Sequence, residues 1–357
     1  MAQVGHFCTR LLEHFAEHGR VQALPDGNTV VTFDDDMQLL MAASQATHVS
    51  IWLGASTAGA LALMKTAFAE HVMALAPPSS PPPHLHWADA KSVDTPLPQL
   101  QIAYVVQSER ITPRMQRLTL ACPQTQALLG PGHHVRLLMP SVGRTPCWPR
   151  QAPDGRICWP QGDDALLRRV YTLREVDLTQ DRVTLDIVLH SQGDPSAGGQ
   201  FVIRAKPGDA VGLLGPGGGG TPQAQRLLLL GDETALPAIA RILADLPSTS
   251  RVHVCLEVAN AQECQDLPPH PGLSVQWMLR MGEPAGEPGR LERALLHHRD
   301  HGAAWAHDPD CFVWAACEQA VSLRLRQHLL ARRGADRSGY RITAYWQRGP
   351  ESQLDAR

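Results

Sequence analysis

At 357 residues the chain is long enough for two or three domains, so a single small module is excluded. Lys plus Arg number 32 against 35 Asp plus Glu, a net charge of -3, which offers no chain-wide basic surface and excludes nucleic acid as the expected partner. The eight cysteines form no CxxC pair or metal-type cluster, no run approaches 18 apolar residues, and Met1 to His6 lacks a basic segment leading into an apolar one. The expectation is a soluble, cytoplasmic protein without membrane insertion.

Phe7, Leu11 and Phe15 recur at four-residue steps, Thr29 to Phe33 reads as a strand, and Leu61, Met64, Phe68, Val72 and Leu75 repeat at helical spacing. These predict a small α/β domain over residues 1–76. A Pro-rich linker follows over 77–98, its Ala76-Pro77-Pro78-Ser79-Ser80-Pro81-Pro82-Pro83 run favouring extended polyproline conformation. Residues 99–222 change to short strands separated by Gly, Pro and Asp, the pattern of an antiparallel barrel or sandwich. In Arg182 to His190 the apolar Val183, Leu185, Ile187 and Leu189 alternate with their neighbours. Gly143 to Asp164, rich in Pro, Gly and Trp, reads as a long excursion between barrel strands that is mobile or ligand-dependent. After the glycine run 217–220, residues 223–357 alternate buried apolar runs with helices: 227–230, a helix over 236–246, then 252–258, 275–279, 311–316 and 341–346. A parallel sheet covered on both faces has this pattern.

The segment Arg169-Val170-Tyr171-Thr172-Leu173-Arg174 falls on a predicted strand. Alternation sends Arg169, Tyr171 and Leu173 to one side and Val170, Thr172 and Arg174 to the other. A cation, a flat aromatic and a short hydroxyl suit a flavin nucleotide: the Arg pairs with pyrophosphate, the Tyr stacks on the ring, and the Thr bonds its polar edge. An ordinary exposed strand with a basic fringe has the same four residues.

The segment stands in a longer ordered series: Ile111-Thr112-Pro113-Arg114-Met115, His134 to Leu138, Arg169 to Arg174, Val188-Leu189-His190, Lys206-Pro207-Gly208-Asp209, Gly215-Pro216, Leu230 to Pro237 and Ala344 to Gly349. Over roughly residues 99–349 this resembles the siderophore-interacting protein family of FAD-binding ferric-siderophore reductases, relatives of the ferredoxin reductase fold. The resemblance implies a multidomain α/β plus β-barrel protein: the N-terminal α/β domain, a six-stranded antiparallel FAD-binding barrel, and a C-terminal parallel α/β domain for NADH or NADPH. It implies FAD contacts from Arg169, Tyr171 and Thr172, with Arg174 supporting the strand and His190 near the adenine or diphosphate. Where the family carries a loop with an Arg and a Trp, this chain has Ser196 to Phe201, lacking the Arg. Gly198 and Gly199 there either cradle phosphate through backbone amides or belong to a divergent turn.

In the family's fold the Leu230-Gly231-Asp232-Glu233-Thr234 turn would receive the NAD(P)H pyrophosphate at a helix start, with Asp232 or Thr234 able to cap and Pro237 tolerated in the first turn. A structural cap alone would look the same. Glu257, at the end of the next strand, can accept from a ribose diol, which would favour NADH, or can simply be solvated. Tyr345 and Trp346 are placed to pack against the flavin or nicotinamide, and Arg348 to meet an anionic substrate, although Gln347 stands where the family often has a base. Cys317 reads as a helix-start residue. The pairs His14/His18 and His84/His86 lack a third metal ligand at recognisable spacing.

The implied activity is NAD(P)H-dependent reduction of a ferric siderophore or other ferric chelate, which weakens the hard oxygen donors around the metal and releases Fe(II). No protein acid or base is obligatory. Arg136, Arg324, Arg326 and Arg348 are candidates to attract an anionic chelate. Two rivals stand beside this: a reductase of the same fold with another acceptor (flavin, quinone, haem or carrier protein), and a non-catalytic chelate-binding module.

Overall fold

The computed structural model describes residues 2–16, 19–33, 37–42, 48–76, 83–88, 95–130, 132–189, 197–297, 299–300, 303–304, 308, 310–333 and 338–349. Helix α1 (Ala2–Phe15) is followed by strands β1 (Gly19–Ala23), β2 (Thr29–Phe33), β3 (Gln38–Met41) and β4 (Ile51–Gly54). Helix α2 (Ala58–Leu75) starts at Thr57, whose hydroxyl accepts the Ala60 N–H at 3.1 Å, a cap of the usual kind. Strands β5 (Thr95–Pro96), β6 (Leu100–Thr112), β7 (Met115–Ala121), β8 (His134–Met139), β9 (Arg150–Gln151), β10 (Ile157–Cys158), β11 (Leu167–Thr172), β12 (Glu175–Asp177) and β13 (Arg182–Val188) come next, then α3 (Ala197–Arg204) and β14 (Ala210–Gly217). The remainder runs β15 (Arg226–Gly231), α4 (Leu236–Asp245), β16 (Arg251–Val258), β17 (Leu273–Leu279), α5 (Arg290–His297), β18 (Arg299–Asp300), β19 (Ala303–Ala304), β20 (Cys311–Glu318), α6 (Gln319–Arg333) and β21 (Tyr340–Trp346).

The chain divides into two compact units, Met1–Leu100 with Pro140–Leu166, and Gln101–Met139 with Leu167–Arg357. In the first, β1 to β4 pair antiparallel in sequence order. Leu11 and Phe15 of α1, Val31 and Leu39 of the sheet, and Phe68 and Val72 of α2 form its core, as their helical and alternating spacings require. The Pro-rich excursion belongs to this unit: β9 pairs with both β10 and β5, and Trp87 Nε1 donates to the Asp154 carbonyl at 2.8 Å. Gly155 beside it sits at φ 86°, where a Cβ would strike the Trp87 ring. This division runs differently from the one read in the sequence, which kept 99–222 together. The linker residues 77–82 lie outside the described residues.

In the second unit the sheet order is β11-β8-β14-β6-β7-β13-β12, seven strands rather than six, the extra one being the three-residue β12. Its edges meet where the chain leaves β11: Leu173 N–H bonds the His133 carbonyl at 2.7 Å, and Arg174 N–H bonds the Thr184 carbonyl at 2.9 Å. The barrel so formed is filled by alternate residues of its strands, including Leu118, Leu120, Leu137, Leu173, Leu185 and Ile187.

The other part of this unit is a sheet ordered β17-β16-β15-β20-β21, with every pairing parallel. Leu227 and Leu229 face α4, while Leu228 and Leu230 face α5 and α6, so the apolar runs are buried on both sides. Strand order reverses between β15 and β20, the kind of point where ligands meet the carboxyl ends of parallel strands. Among the described residues no helix is long and apolar enough to cross a membrane.

Candidate functional site

Strand β11 pairs antiparallel with β8, placing Arg169 opposite Leu137, Tyr171 opposite Val135, and Thr172 opposite His134. The pleat therefore turns Tyr171, like Leu173, towards the barrel interior, where Tyr171 packs partly against the core. Val170 (49 % exposed) and Thr172 face outward with Arg136 and His134.

Residues 197–204 form helix α3, not the loop or turn expected around Gly198 and Gly199. Phe201 and Val202 anchor it in the barrel core. Gly198 lies so close to β11 that a Cβ there would be 3.1 Å from Tyr171 Oη and 3.6 Å from Arg169 Cγ. The positive end of α3 is thus held directly beside the Tyr171 phenol and the stem of Arg169, whose guanidinium donates to the Arg168 carbonyl at 2.8 Å. A helix start next to an arginine suits a pyrophosphate, and an adjoining aromatic suits a flavin ring, so these residues fit FAD. His190, the other residue assigned to the adenine or diphosphate, lies outside the described residues.

The outward side of β11 meets the last strand of the parallel sheet. Tyr345 Oη is 2.6 Å from His134 Nε2 and within hydrogen-bonding reach of Thr172. Thr172 is consequently buried, at 5 % exposure. Burial raises the Tyr345 phenol well above its ordinary value, against the lowering effect of Thr172. Burial, with the charges of His133 and Arg341, brings the His134 ring down to about 4, so it is neutral at pH 7. The approach depends on the glycine run: a Cβ on Gly218 would overlap the His134 ring, and one on Gly219 the Arg341 guanidinium, which donates to the Gly220 carbonyl at 2.8 Å.

Trp346, the next residue, donates its indole N–H to Asp232 Oδ2 at 2.8 Å. Asp232 does not cap α4, whose N-cap is Ala235 with no side-chain bond, though Pro237 falls in the first turn as expected. Instead Asp232 Oδ1 accepts from the Thr234 N–H at 2.9 Å and the Thr234 hydroxyl at 2.5 Å, shaping the turn before the helix. Burial raises the Asp232 carboxyl, and the bonds from Thr234 and Trp346 oppose that rise. Glu233 points into the protein, bound by Arg280 at 2.5 and 2.8 Å and by the Ala259 N–H at 2.8 Å. Glu257, only 3 % exposed, stands 3.6 Å from Arg280, and burial pushes it up to about 7. It is turned away from the solvent in which a ribose would meet it.

Other residues singled out in the sequence have structural partners. Arg174 pairs at 2.9 Å with the buried Asp186, which Arg117 also holds at 2.7 Å. Arg326 donates to the Ile342 carbonyl, and Arg324 lies 3.8 Å from Glu292. Arg348 donates to Glu287 at 2.6 Å and to the Ala285 carbonyl, while its backbone N–H bonds Glu318. Cys317 sits in β20, 1 % exposed, and burial raises its thiol, so it does not start a helix; α6 begins at Gln319. His14 Nε2 lies 2.9 Å from His71 Nδ1, and His18 is outside the described residues. Among the described residues no His, Cys, Asp or Glu cluster could hold a metal. His134, Glu233 and Arg280 were not assigned roles from the sequence. Only the position of His134 opposite Thr172 would have marked it, and that needs the strand register.

Residues 104–220 match the siderophore-interacting FAD-binding domain, and 224–349 match the siderophore-interacting protein family. The crystal structure of a siderophore utilization protein from T. fusca is 33 % identical, with a TM-score of 0.58, covering 72 % of this chain and 95 % of that one. The ferric vibriobactin reductase ViuB of Vibrio cholerae is 28 % identical over 151 residues, 42 % of this chain and 54 % of that protein. The ferric acinetobactin reductase of Acinetobacter baumannii is 25 % identical over 206 residues, 53 % of this chain and 64 % of that protein. The chain thus spans about half to two thirds of the length of these two curated relatives. With matches over both the barrel and the parallel sheet, and a 33 % identical relative covered almost end to end, the chain belongs to the siderophore-interacting protein family.

Proposed function

We propose that the protein is an FAD-dependent oxidoreductase that takes electrons from NADH or NADPH and reduces ferric siderophores or other ferric chelates, delivering Fe(II) in the cytosol. The observation that carries this reading is the contact of Tyr345 with His134, the register partner of Thr172, where the β11–α3 region fitted to FAD adjoins the carboxyl edge of the parallel sheet. Bound FAD would convert the two-electron chemistry of a nicotinamide into single-electron steps. The chain's own groups bind and orient. Arg169 and the start of α3 hold pyrophosphate, Tyr171 supports the ring, Thr172 offers a hydroxyl at its edge, and Tyr345 excludes water from that hydroxyl. Neutral His134 fixes the Tyr345 phenol without adding charge beside the flavin. The balance is one NAD(P)H and two ferric chelates to one NAD(P)+, one proton and two ferrous products; each metal loses one unit of charge and holds its oxygen donors less tightly.

The family membership and the names of the two reductase relatives support the substrate class. An acceptor other than a ferric chelate is the second reading. It is favoured by the engagement of Arg348 with Glu287 and of Arg326 with a backbone carbonyl, which leaves neither arginine turned to an anionic substrate. The test is direct: the purified protein should be yellow, bleach anaerobically with NADH or NADPH, and recover its colour on addition of ferric hydroxamates, catecholates or citrate. A chain that cannot retain added FAD would sink the proposal, and recovery with quinone or flavin but no ferric chelate would select the second reading.

A further inference from the structure

A cavity of about 660 Å³ opens between the edge strand β17 and helix α5. Three cationic or protonatable side chains line it, Arg290, Arg293 and His297, together with Gln276, Met278 and Leu279; no carboxylate lines it among the described residues. Arg290 is paired with Glu283. Arg293 is exposed, and among the described residues its guanidinium has no carboxylate partner. A concave surface with three apolar side chains, Met278, Leu279 and Ala294, and an uncompensated guanidinium suits a ligand that is flat and apolar on one side and anionic on the other.

Its position narrows the ligand. The turn 231–237 ends β15 at the point where strand order reverses, and β16 and β17 follow outward on the side away from β20. Two strand spacings separate β15 from β17, about 10 Å, a reach suited to the adenosine half of a dinucleotide whose pyrophosphate lies at the turn. Glu257 and Met278 are register partners, so their side chains share a sheet face. The cavity therefore begins next to the strand end where an acidic residue would ordinarily read the ribose 2′-hydroxyl. That acid is withdrawn here: Glu257 is 3 % exposed and stands beside Arg280.

We propose that this cavity is a phosphomonoester site that receives the 2′-phosphate of the adenosine half of NADPH, with Arg293 as the residue that selects it over NADH. The inference rests on the nicotinamide reading above, and it replaces the NADH preference that Glu257 suggested in the sequence. Arg293 gives the phosphate a charge-assisted partner, Arg290 adds positive potential, and Met278 and Leu279 give the nucleoside an apolar floor.

The experiment is calorimetric titration of the full-length protein with 2′,5′-ADP and with 5′-AMP, which isolates the extra phosphate without turnover. Wild type should bind 2′,5′-ADP at least about tenfold more tightly, the size of one charge-assisted contact. Arg293→Ala should bring the two affinities to within about threefold, and Arg293→Glu should invert the preference. Arg293 is exposed, so neither variant should unfold, and circular dichroism checks this. Equal wild-type affinities for the two nucleotides, or a ratio unmoved by both substitutions, overturns the proposal. Failure of either nicotinamide to bleach the FAD-loaded protein would instead defeat the reductase reading, while the titration still decides the cavity.

Discussion

Replacing Arg174 by Met tests whether this arginine serves the barrel or the cofactor. Asp186 is 3 % exposed and is held by Arg117 through bonds of 2.7 and 2.8 Å and by Arg174 at 2.9 Å. A hydrogen bond to a charged group contributes roughly 1.5–3 kcal/mol, and Arg117 still neutralises Asp186 in the variant, so a loss of about 2 kcal/mol is expected. At roughly 2–4 °C per kcal/mol for a chain of this size, the apo protein should melt about 4–8 °C lower. Asp186→Asn should cost more, about 3–5 kcal/mol, because two guanidinium groups then lose their common counter-charge. Thermal and urea unfolding of the apo proteins give these values, and FAD titration of the folded Arg174→Met protein gives its affinity, expected within about threefold of wild type. An unchanged melting temperature with FAD affinity lowered about tenfold or more would refute the structural assignment and give Arg174 a cofactor role instead.

Arg169→Ala and Tyr171→Ala should each weaken FAD retention by about tenfold or more; the apo barrel should keep its melting temperature within about 2 °C in Arg169→Ala and lose several degrees in Tyr171→Ala, whose ring packs against the core, and equal destabilisation of the apo and loaded forms would count against their cofactor roles. In Gly198→Val the added branches must displace Tyr171, so flavin fluorescence quenching on binding should fall; full wild-type quenching would show that α3 and β11 do not share the ligand. For His134 the folded value is about 4 against roughly 6.5 unfolded, so between these limits the unfolded chain binds more protons and stability rises with pH, by at most about 3 kcal/mol. Urea unfolding from pH 4 to 7 should show that slope in wild type and a shallower one in His134→Gln, and identical slopes would remove His134 as its source.

Most of the scaffold was readable because local period and burial agree. The apolar run 227–230 lies inside β15, and the spacing of Leu61 to Leu75 lies on α2, with ends shifted by only a few residues. The excursion 143–164 was not readable, since pairing of β9 with β5 joins residues more than fifty apart with only two residues per strand to announce it. Helix α3 was obscured by Gly198 and Gly199, which have low helix propensity; the signal was Phe201-Val202-Ile203, an apolar patch too short to show a period. At the site, alternation already separated Arg169 from Arg174. The partner of Arg174 is Asp186, which required knowing that the two edges of the barrel sheet meet at residues 173–174. Glu257 illustrates the opposite case: its place at a strand end was legible, but its burial beside Arg280, the residue just after the neighbouring strand β17, depends on a strand pairing that the sequence does not announce.

Tyr345 and Trp346 are consecutive, yet one phenol is held by His134 of the barrel and the neighbouring indole by Asp232 of the β15–α4 turn. A single peptide unit thereby ties the support of one ligand to the support of the other. If occupation of the turn displaces this dipeptide, the free energy of that displacement appears in the affinity for the flavin, and by reciprocity flavin occupancy must alter nucleotide affinity by the same factor. The two ligands should therefore titrate as a thermodynamically linked pair, and Trp346→Phe, which releases Asp232 while keeping the ring, should bring that factor towards one.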